Sequence, residues 1–217
     1  MNLLAHYYFS SKQGKHWYNA GLLFPDLLKI FKSKIHLSKI EKTNFENSEI
    51  TDLKYGIASH KAVDKVFHNW QWFLSKNHEI LNKLRKSKLN FERDWVLSHI
   101  FIEMAIDCYL SAHYSQVVEE LYNDFEKCNN GIWKILFDKC EIDDFNRWES
   151  GLGNFLKIKY IYKYKDTSAI IYSLNRIYES TGIGKFDEKQ NDYLLLLLIE
   201  ILPEINYKIS ELKKIIE

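Results

Sequence analysis

Residues 95–107 read WVLSHIFIEMAID, and this stretch sets the expectation for the rest of the chain. Its ionisable residues His99, Glu103 and Asp107 follow one another at intervals of four. Because four residues make just over one helical turn, the three side chains fall in one stripe along an α-helix. The other positions are largely apolar. The stretch therefore predicts an apolar helix with a single polar stripe.

Apolar residues recur at the same three- and four-residue spacing through most of the chain, and sustained alternation is rare. Only two prolines and eight glycines occur among the 217 residues, too few for a protein built from many tight turns. No repeat and no long linker divides the sequence. We therefore expect an all-α fold, arranged as a single compact multi-helix domain over residues 1–217.

Helix boundaries follow from capping and helix-breaking residues. The predicted helices cover approximately residues 2–10, 26–32, 49–76, 78–86, 91–113, 115–139, 142–163 and 167–180, and a final helix after residue 187. Pro25 is expected in the first turn of the second helix, and Asn90 as the N-cap of the fifth. Asp187 with Gln190 resembles a capping box. Residues 33–48 are interpreted as a polar connection.

Net charge, cysteine count and apolar runs indicate which partners and which cellular location to expect. The net charge of +1 gives no global basic field, so we expect no nucleic acid partner. Cys108, Cys128 and Cys140 are an odd number without a CxxC pair, which favours reduced thiols in the cytoplasm. Residues 1–6 do not resemble a secretory signal. The apolar run 194–202 is far shorter than the roughly 20 residues of a bilayer span, so it is interpreted as a buried core helix without membrane contact.

Two further segments place ionisable residues among apolar ones. His6 lies in a strongly apolar helix, where a lone histidine is more often a hydrogen-bonded core residue than a ligand. His60 and Asp64 project from one helix face and could hold a cation together, although an ion pair on a solvated face is commoner for an isolated HxxxD. Asp26 follows a turn, where it could equally stabilise the first turn of a helix.

The stripe on the 95–107 helix has two interpretations. Buried carboxylates at Glu103 and Asp107 would need a cation or hydrogen-bond donors. Mixed imidazole and carboxylate ligands suit manganese, iron or zinc better than calcium. Alternatively, the stripe is a narrow exposed seam closed by an arginine or lysine from a neighbouring helix. The two interpretations stand about equal.

Three segments follow one another in the first half of the chain: MNLLAH at residues 1–6, AGLLFPD at 20–26 and GIASHKAVD at 56–64. Their order and approximate spacing resemble the acyl carrier protein phosphodiesterase family. That family opens with MNxLAH, continues with a G-N-L-L-x-D-like turn and then carries G-I-x-x-H-R-x-I-D. Residues 107–110, DCYL, are similar to its later D-H-F-L segment.

The resemblance implies an HD-like helical bundle and a cytoplasmic, manganese-dependent hydrolase of lipid metabolism and fatty acid biosynthesis. Its reaction would cleave the phosphodiester that joins phosphopantetheine to a serine of acyl carrier protein. Iron or zinc are the alternative metals. Carried over position by position, the resemblance implies the site residues His6, Asp26, His60, Asp64 and Asp107. Helix geometry alone adds Glu103 as a further metal ligand and His99 as a catalytic acid.

The chain departs from the family pattern at three positions. Leu22 replaces an asparagine, Lys61 an arginine and Cys108 a histidine. Lysine supplies charge but lacks the planar fork that grips a phosphate. Loss of the histidine removes one ligand or acid, which His99 and Glu103 could offset, with a different metal site and substrate as the result.

These residues suggest a mechanism. A bound divalent ion would lower the pKa of its water and polarise a phosphoryl oxygen, while Lys61 would stabilise the developing equatorial charge. His99 or a nearby acid would protonate the leaving oxygen. Five lysines border the Asp26 turn and could dock an acidic acyl carrier protein, although a solvated loop is the commoner explanation: Lys29, Lys32, Lys34, Lys39 and Lys42.

Two other functions are compatible with the same sequence. One is a related helical phosphohydrolase that acts on a small phosphorylated molecule. The other is a helical interaction module without activity. The sequence makes no prediction of the oligomeric state.

Overall fold

The computed structural model describes residues 3–33, 35–180, 182 and 184–216. Every regular element within these ranges is helical, which confirms the all-α prediction. The elements are α1 (Leu3–Ser10), α2 (His16–Ile30), α3 (Leu37–Lys42), α4 (Ser48–Asn69), α5 (Gln71–Lys86), α6 (Asp94–His113), α7 (Ser115–Lys127), α8 (Asn130–Lys139), α9 (Phe145–Ile158), a 3₁₀-helix (Tyr160–Lys165), α10 (Thr167–Ser180) and α11 (Glu188–Ile216).

Several boundaries differ from the prediction. Pro25 lies inside α2 and not in its first turn. It removes one helical hydrogen bond, but all residues from Trp17 to Leu28 are buried, and their packing stabilises the helix. The segment 33–48 is not a plain connection, because α3 forms there around the buried Ile40. The predicted start of the first helix at residue 2 lies outside the described residues.

The predicted N-cap of α6 is also wrong. Asn90 and Arg93 both have positive φ, 55° and 47°, and α6 begins only at Asp94. The predicted helix over 49–76 ends at Asn69, because Trp70 adopts an extended backbone and buries its ring before α5 starts. Buried aromatic side chains thus override helix propensity at this break.

The capping box of α11 is confirmed. The Asp187 amide donates to Gln190 Oε1 at 2.9 Å, and the Gln190 amide donates to Asp187 Oδ1 at 2.8 Å. Each bond satisfies an amide that the helix itself leaves without an acceptor. This end of α11 is therefore specified by local sequence.

Packing divides the described chain into two compact units. The first contains residues 3–5, 65–115, 162–180, 182 and 184–216, and the second contains residues 6–33, 35–64 and 116–161. The expectation of a single domain stays a prediction.

Helix α6 is the centre of the first unit, where α5, α10 and α11 pack against it. By length and composition α6 could cross a membrane, but 72% of its most apolar window is buried within the structure. That burial is what a core helix shows. The run 194–202 is only partly buried, since Leu196 and Ile199 of α11 are exposed.

In the second unit, α2 and α4 touch through two glycines. A Cβ added to Gly21 would lie 2.3 Å from the Leu53 carbonyl oxygen, and one added to Gly56 would lie 2.0 Å from the Tyr18 carbonyl oxygen. Only glycine at both positions permits this backbone contact. The contact determines how closely α2 and α4 approach, and both helices carry candidate ligands.

Candidate metal centre

Three of the predicted ligands meet in the second unit, although they come from three different helices. His6 of α1, Asp26 of α2 and His60 of α4 place one ligand atom each within 4.8 Å of the others. All three side chains are buried. We call this group the His6 cluster.

The orientation of His60 is set by the backbone of α2. Its Nδ1 lies 2.8 Å from the Leu22 carbonyl oxygen, which can only accept, so Nδ1 carries the proton. Burial, followed by the neighbouring His6, lowers the pKa of His60 to about 4. Near neutral pH the ring is therefore uncharged, and its Nε2 lone pair is available as a ligand.

His6 is the second imidazole of the cluster, and its surroundings differ from those of His60. It is 2% exposed, and neither of its ring nitrogens has a hydrogen-bond partner among the described residues. Its ring centroid lies 3.9 Å from that of His60. Because an unsatisfied buried polar group costs about 1–3 kcal/mol, these nitrogens need an explanation, and a bound cation would supply a partner for one of them.

Two acids lie near His6. Burial favours the neutral form of Asp26, but nearby positive charges, including that of Lys29, keep its pKa below the usual value. The Lys29 ammonium donates to Asp26 Oδ1 at 2.8 Å. Asp64 Oδ1 lies 3.7 Å from His6 Nε2, and the Asp64 side chain is 42% exposed. Asp64 thus forms the solvent-accessible edge of the cluster.

The donor set fits a divalent cation. Two imidazoles and one buried carboxylate, with a second carboxylate close by, suit manganese, iron or zinc better than calcium. An ion bound by His6 would give one of its two nitrogens the partner that it lacks among the described residues. The described residues of the His6 cluster therefore fit a manganese, iron or zinc ion.

Lys61 is placed differently from its expected role. Its ammonium forms an ion pair with Glu41 of α3, and both side chains are about half exposed. The Lys61 ammonium, which was expected to stabilise a phosphoryl group, is thus paired with the Glu41 carboxylate. The predicted role of Lys61 stays a prediction.

The stripe on α6 belongs to the first unit and is mostly buried. Glu103 Oε1 lies 3.2 Å from His99 Nε2 and 3.1 Å from His68 Nε2, and the three residues form a second group of potential ligands. The residue from the neighbouring helix that contacts Glu103 is therefore His68, whereas an arginine or lysine was expected. His68 was missed, although it follows Asp64 by four residues and extends HxxxD to HxxxDxxxH.

Asp107, also predicted as a ligand, caps a helix. Its two oxygens accept hydrogen bonds from the amides of Leu4, at 3.2 Å, and Ala5, at 2.9 Å, in the first turn of α1. Burial raises the pKa of Asp107 to about 7 in spite of these bonds. Its role as a metal ligand stays a prediction.

A further polar group in the second unit was not predicted. Buried Asp124 accepts hydrogen bonds from Tyr7 Oη at 2.6 Å and Asn19 Nδ2 at 2.6 Å, and its other oxygen lies 2.5 Å from His16 Nδ1. The group lines an open cavity of about 780 Å³. Asp124 follows no recognisable motif, so only the tertiary structure reveals this arrangement.

Comparison of the chain with protein-family models, with curated proteins and with solved structures gives no match. The resemblance to the acyl carrier protein phosphodiesterase family therefore depends on the quoted residues alone.

Proposed function

We propose that the chain is a metal-dependent phosphodiesterase whose metal centre is the His6 cluster, with Asp64 as a further ligand at its exposed edge. The observation that carries this proposal is the pair of buried His6 nitrogens without a hydrogen-bond partner among the described residues. They stand beside a neutral His60 and the carboxylate of Asp26. The order of these residues in the chain supports the same activity through the family resemblance.

Manganese is the proposed metal because the family resemblance implies it, and iron or zinc, which mixed nitrogen and oxygen donors also suit, are the alternatives. When bound, such an ion supplies a water of lowered pKa and a Lewis acid for a phosphoryl oxygen. The protein holds His60 in the ligand tautomer through Leu22 and keeps Asp26 ionised. Asp64 lies where a substrate could approach from solvent.

The proposed substrate is holo acyl carrier protein. Acyl carrier proteins are acidic, and four of the five lysines near the Asp26 turn are exposed: Lys29, Lys32, Lys39 and Lys42. Lys34 lies outside the described residues. A basic surface beside a metal centre would attract an acidic carrier by charge complementarity.

Metal analysis of the purified protein tests the activity class. We expect one equivalent of manganese, iron or zinc at the His6 cluster, so that His60→Ala contains one equivalent less than the wild type and Asp64→Ala also contains less. His113→Ala, a change at an exposed position of α6, serves as the control and should keep the metal. If the wild type takes up no metal under any loading condition while the variants fold normally, the metal-dependent phosphodiesterase is rejected.

Mass spectrometry of holo acyl carrier protein then tests the substrate. Incubation with the manganese-loaded protein should convert the carrier to its apo form and release phosphopantetheine, whereas His60→Ala should leave it unchanged. An unchanged carrier mass with the wild type would reject this substrate. Hydrolysis of bis(4-nitrophenyl) phosphate in the same preparation would still support the phosphodiesterase.

A second candidate function is favoured by the cavity at Asp124. Lys12, Lys127 and His16 line it, and these are side chains that bind phosphate. A small phosphorylated molecule would fit its volume. Release of inorganic phosphate from a panel of phosphorylated metabolites, with His16→Gln as the comparison, would separate this activity from cleavage of the carrier protein.

A further inference from the structure

The second group of potential ligands consists of His68, His99 and Glu103 in the first unit. Their ligand atoms lie within 4.8 Å of one another, and one oxygen, Glu103 Oε1, faces the Nε2 atoms of both histidines. We call this group the Glu103 cluster. It shares no residue with the His6 cluster, so the two can be tested separately.

The backbone places the three side chains on a fixed frame. His99 and Glu103 are four residues apart on α6 and share a face, while His68 comes from the last turn of α4. Buried Phe73 lies against both imidazoles, with centroid distances of 5.4 Å to His68 and 5.1 Å to His99. The rings are thereby held 4.7 Å apart by packing and are preorganised.

The distances agree with those around a small divalent ion. With bonds of about 2.1 Å, neighbouring donor atoms stand about 3.0 Å apart in octahedral and about 3.4 Å apart in tetrahedral coordination. Glu103 Oε1 lies 3.1 Å and 3.2 Å from the two nitrogens. Two of the three donor pairs therefore already have the spacing that a shared ion requires.

Exposure distinguishes this group from a closed structural site. The Glu103 side chain is 4% exposed, whereas those of His68 and His99 are 30% and 37% exposed. The carboxylate is therefore the buried donor, and the two imidazoles are the donors that solvent can reach. Three protein donors with an open side are typical of a cation that retains a water molecule.

We propose that His68, His99 and Glu103 form a second cation site. This site binds zinc and shares no residue with the His6 cluster. Two imidazoles and one carboxylate are a donor set that zinc adopts in enzymes. Zinc is also favoured over manganese by nitrogen donors in general. The competing explanation is that Glu103 only accepts hydrogen bonds from the two histidines.

Zinc stoichiometry tests this proposal. Metal-free full-length protein carrying His60→Ala, which disables the His6 cluster, is equilibrated with zinc and its content is measured by elemental analysis. We expect about one equivalent in this variant and a loss of at least tenfold in affinity when His99→Gln is added. His113→Gln, an exposed histidine on the same helix, is the matched control and should leave the equivalent in place.

Equal zinc contents with and without His99→Gln, in variants whose circular dichroism is native, would overturn the proposal. Should His60→Ala fail to fold, the wild type provides the second measurement. Adding zinc must then shift the ring ¹⁵N signals of His68 and His99, assigned through His68→Gln and His99→Gln. If zinc leaves these ¹⁵N signals unchanged, the proposed zinc site is wrong. Both rings then serve as hydrogen-bond partners of Glu103.

Discussion

His60 combines two properties that a metal ligand requires at neutral pH. Its Nδ1 proton is donated to the Leu22 carbonyl oxygen, and its pKa is lowered to about 4 by burial and by His6. The unfolded chain, in contrast, protonates a histidine near pH 6.5. Between these values the unfolded state binds a proton that the folded state does not.

This difference predicts a pH dependence of stability in the metal-free protein. As the pH falls from about 6.5 to about 4, the free energy of unfolding should decrease by on the order of 2–3 kcal/mol because of His60 alone. Urea unfolding at several pH values, in the presence of a chelator, measures it. His60→Gln should lack this component, and His113→Gln should retain it. Equal slopes in wild type and His60→Gln would contradict the prediction.

Lys29 provides a second prediction for a single residue. Its ammonium donates to Asp26 Oδ1 and competes with a cation for that carboxylate. Because the lysine side chain is largely exposed, the effect should be modest. We expect Lys29→Met to tighten manganese binding by about two- to fivefold, measured by calorimetry, while Lys39→Met should not change it. Weaker binding in Lys29→Met would show that the ammonium supports the site.

At this scale the sequence predicted part of the site. His6, Asp26 and His60 were identified because a family resemblance joined three segments that local spacing alone could not connect. His68 was overlooked, since its partners on α6 lie about 30 residues away in the sequence. The group around Asp124 was beyond prediction for the same reason: its hydrogen bonds connect residues that are more than 100 positions apart.

The contact of α2 and α4 leaves no room for a side chain at either glycine. A Cβ at position 56 would lie 2.0 Å from a backbone oxygen, and no side-chain rotation relieves a clash with backbone. We predict that Gly56→Ala lowers the free energy of unfolding by about 2–3 kcal/mol or more and weakens metal binding, because His60 is displaced with α4.

Gly153 of α9 provides the matched control, since a Cβ added there meets no described atom from another part of the chain within 4 Å. Gly153→Ala should raise the free energy of unfolding by about 0.5–1 kcal/mol through helix propensity. Chemical denaturation of both variants measures the difference. A Gly56→Ala protein as stable as Gly153→Ala would show that the helices can separate at no cost.

Helix ends were predictable only where local chemistry determines them. The Asp187–Gln190 capping box was correct because both partners are three residues apart. The start of α2 was wrong because burial of almost the whole helix outweighs the restriction imposed by Pro25. The break at Trp70 likewise depends on a buried indole, whose Nε1 donates to Glu211 of α11, 141 residues further along the chain.

For the molecule as a whole, metal binding should be visible as stability. A ligand present at 100 times its Kd stabilises the native state by about 2.7 kcal/mol, which corresponds to a rise in Tm of about 5–10 °C for a chain of this size. We expect this rise when manganese is added to chelator-treated protein in a calorimeter. His60→Ala should show a much smaller rise, and an equal rise in both proteins would place the metal elsewhere.

The overall architecture was partly predictable. Apolar periodicity and the scarcity of proline and glycine identified the all-α class, because both are local properties of the sequence. The division into two compact units was not expected. The first unit combines residues 3–5 with two later segments, and a reading along the chain does not reveal such long-range packing.

The glycine contact between α2 and α4 also has a consequence for ion size. Since the two backbones already touch at Gly21 and Gly56, the helices cannot move closer to grip a smaller ion. They can still separate slightly around a larger one, against side-chain packing alone. The His6 cluster should therefore discriminate sharply against ions that are too small and only gradually against ions that are too large.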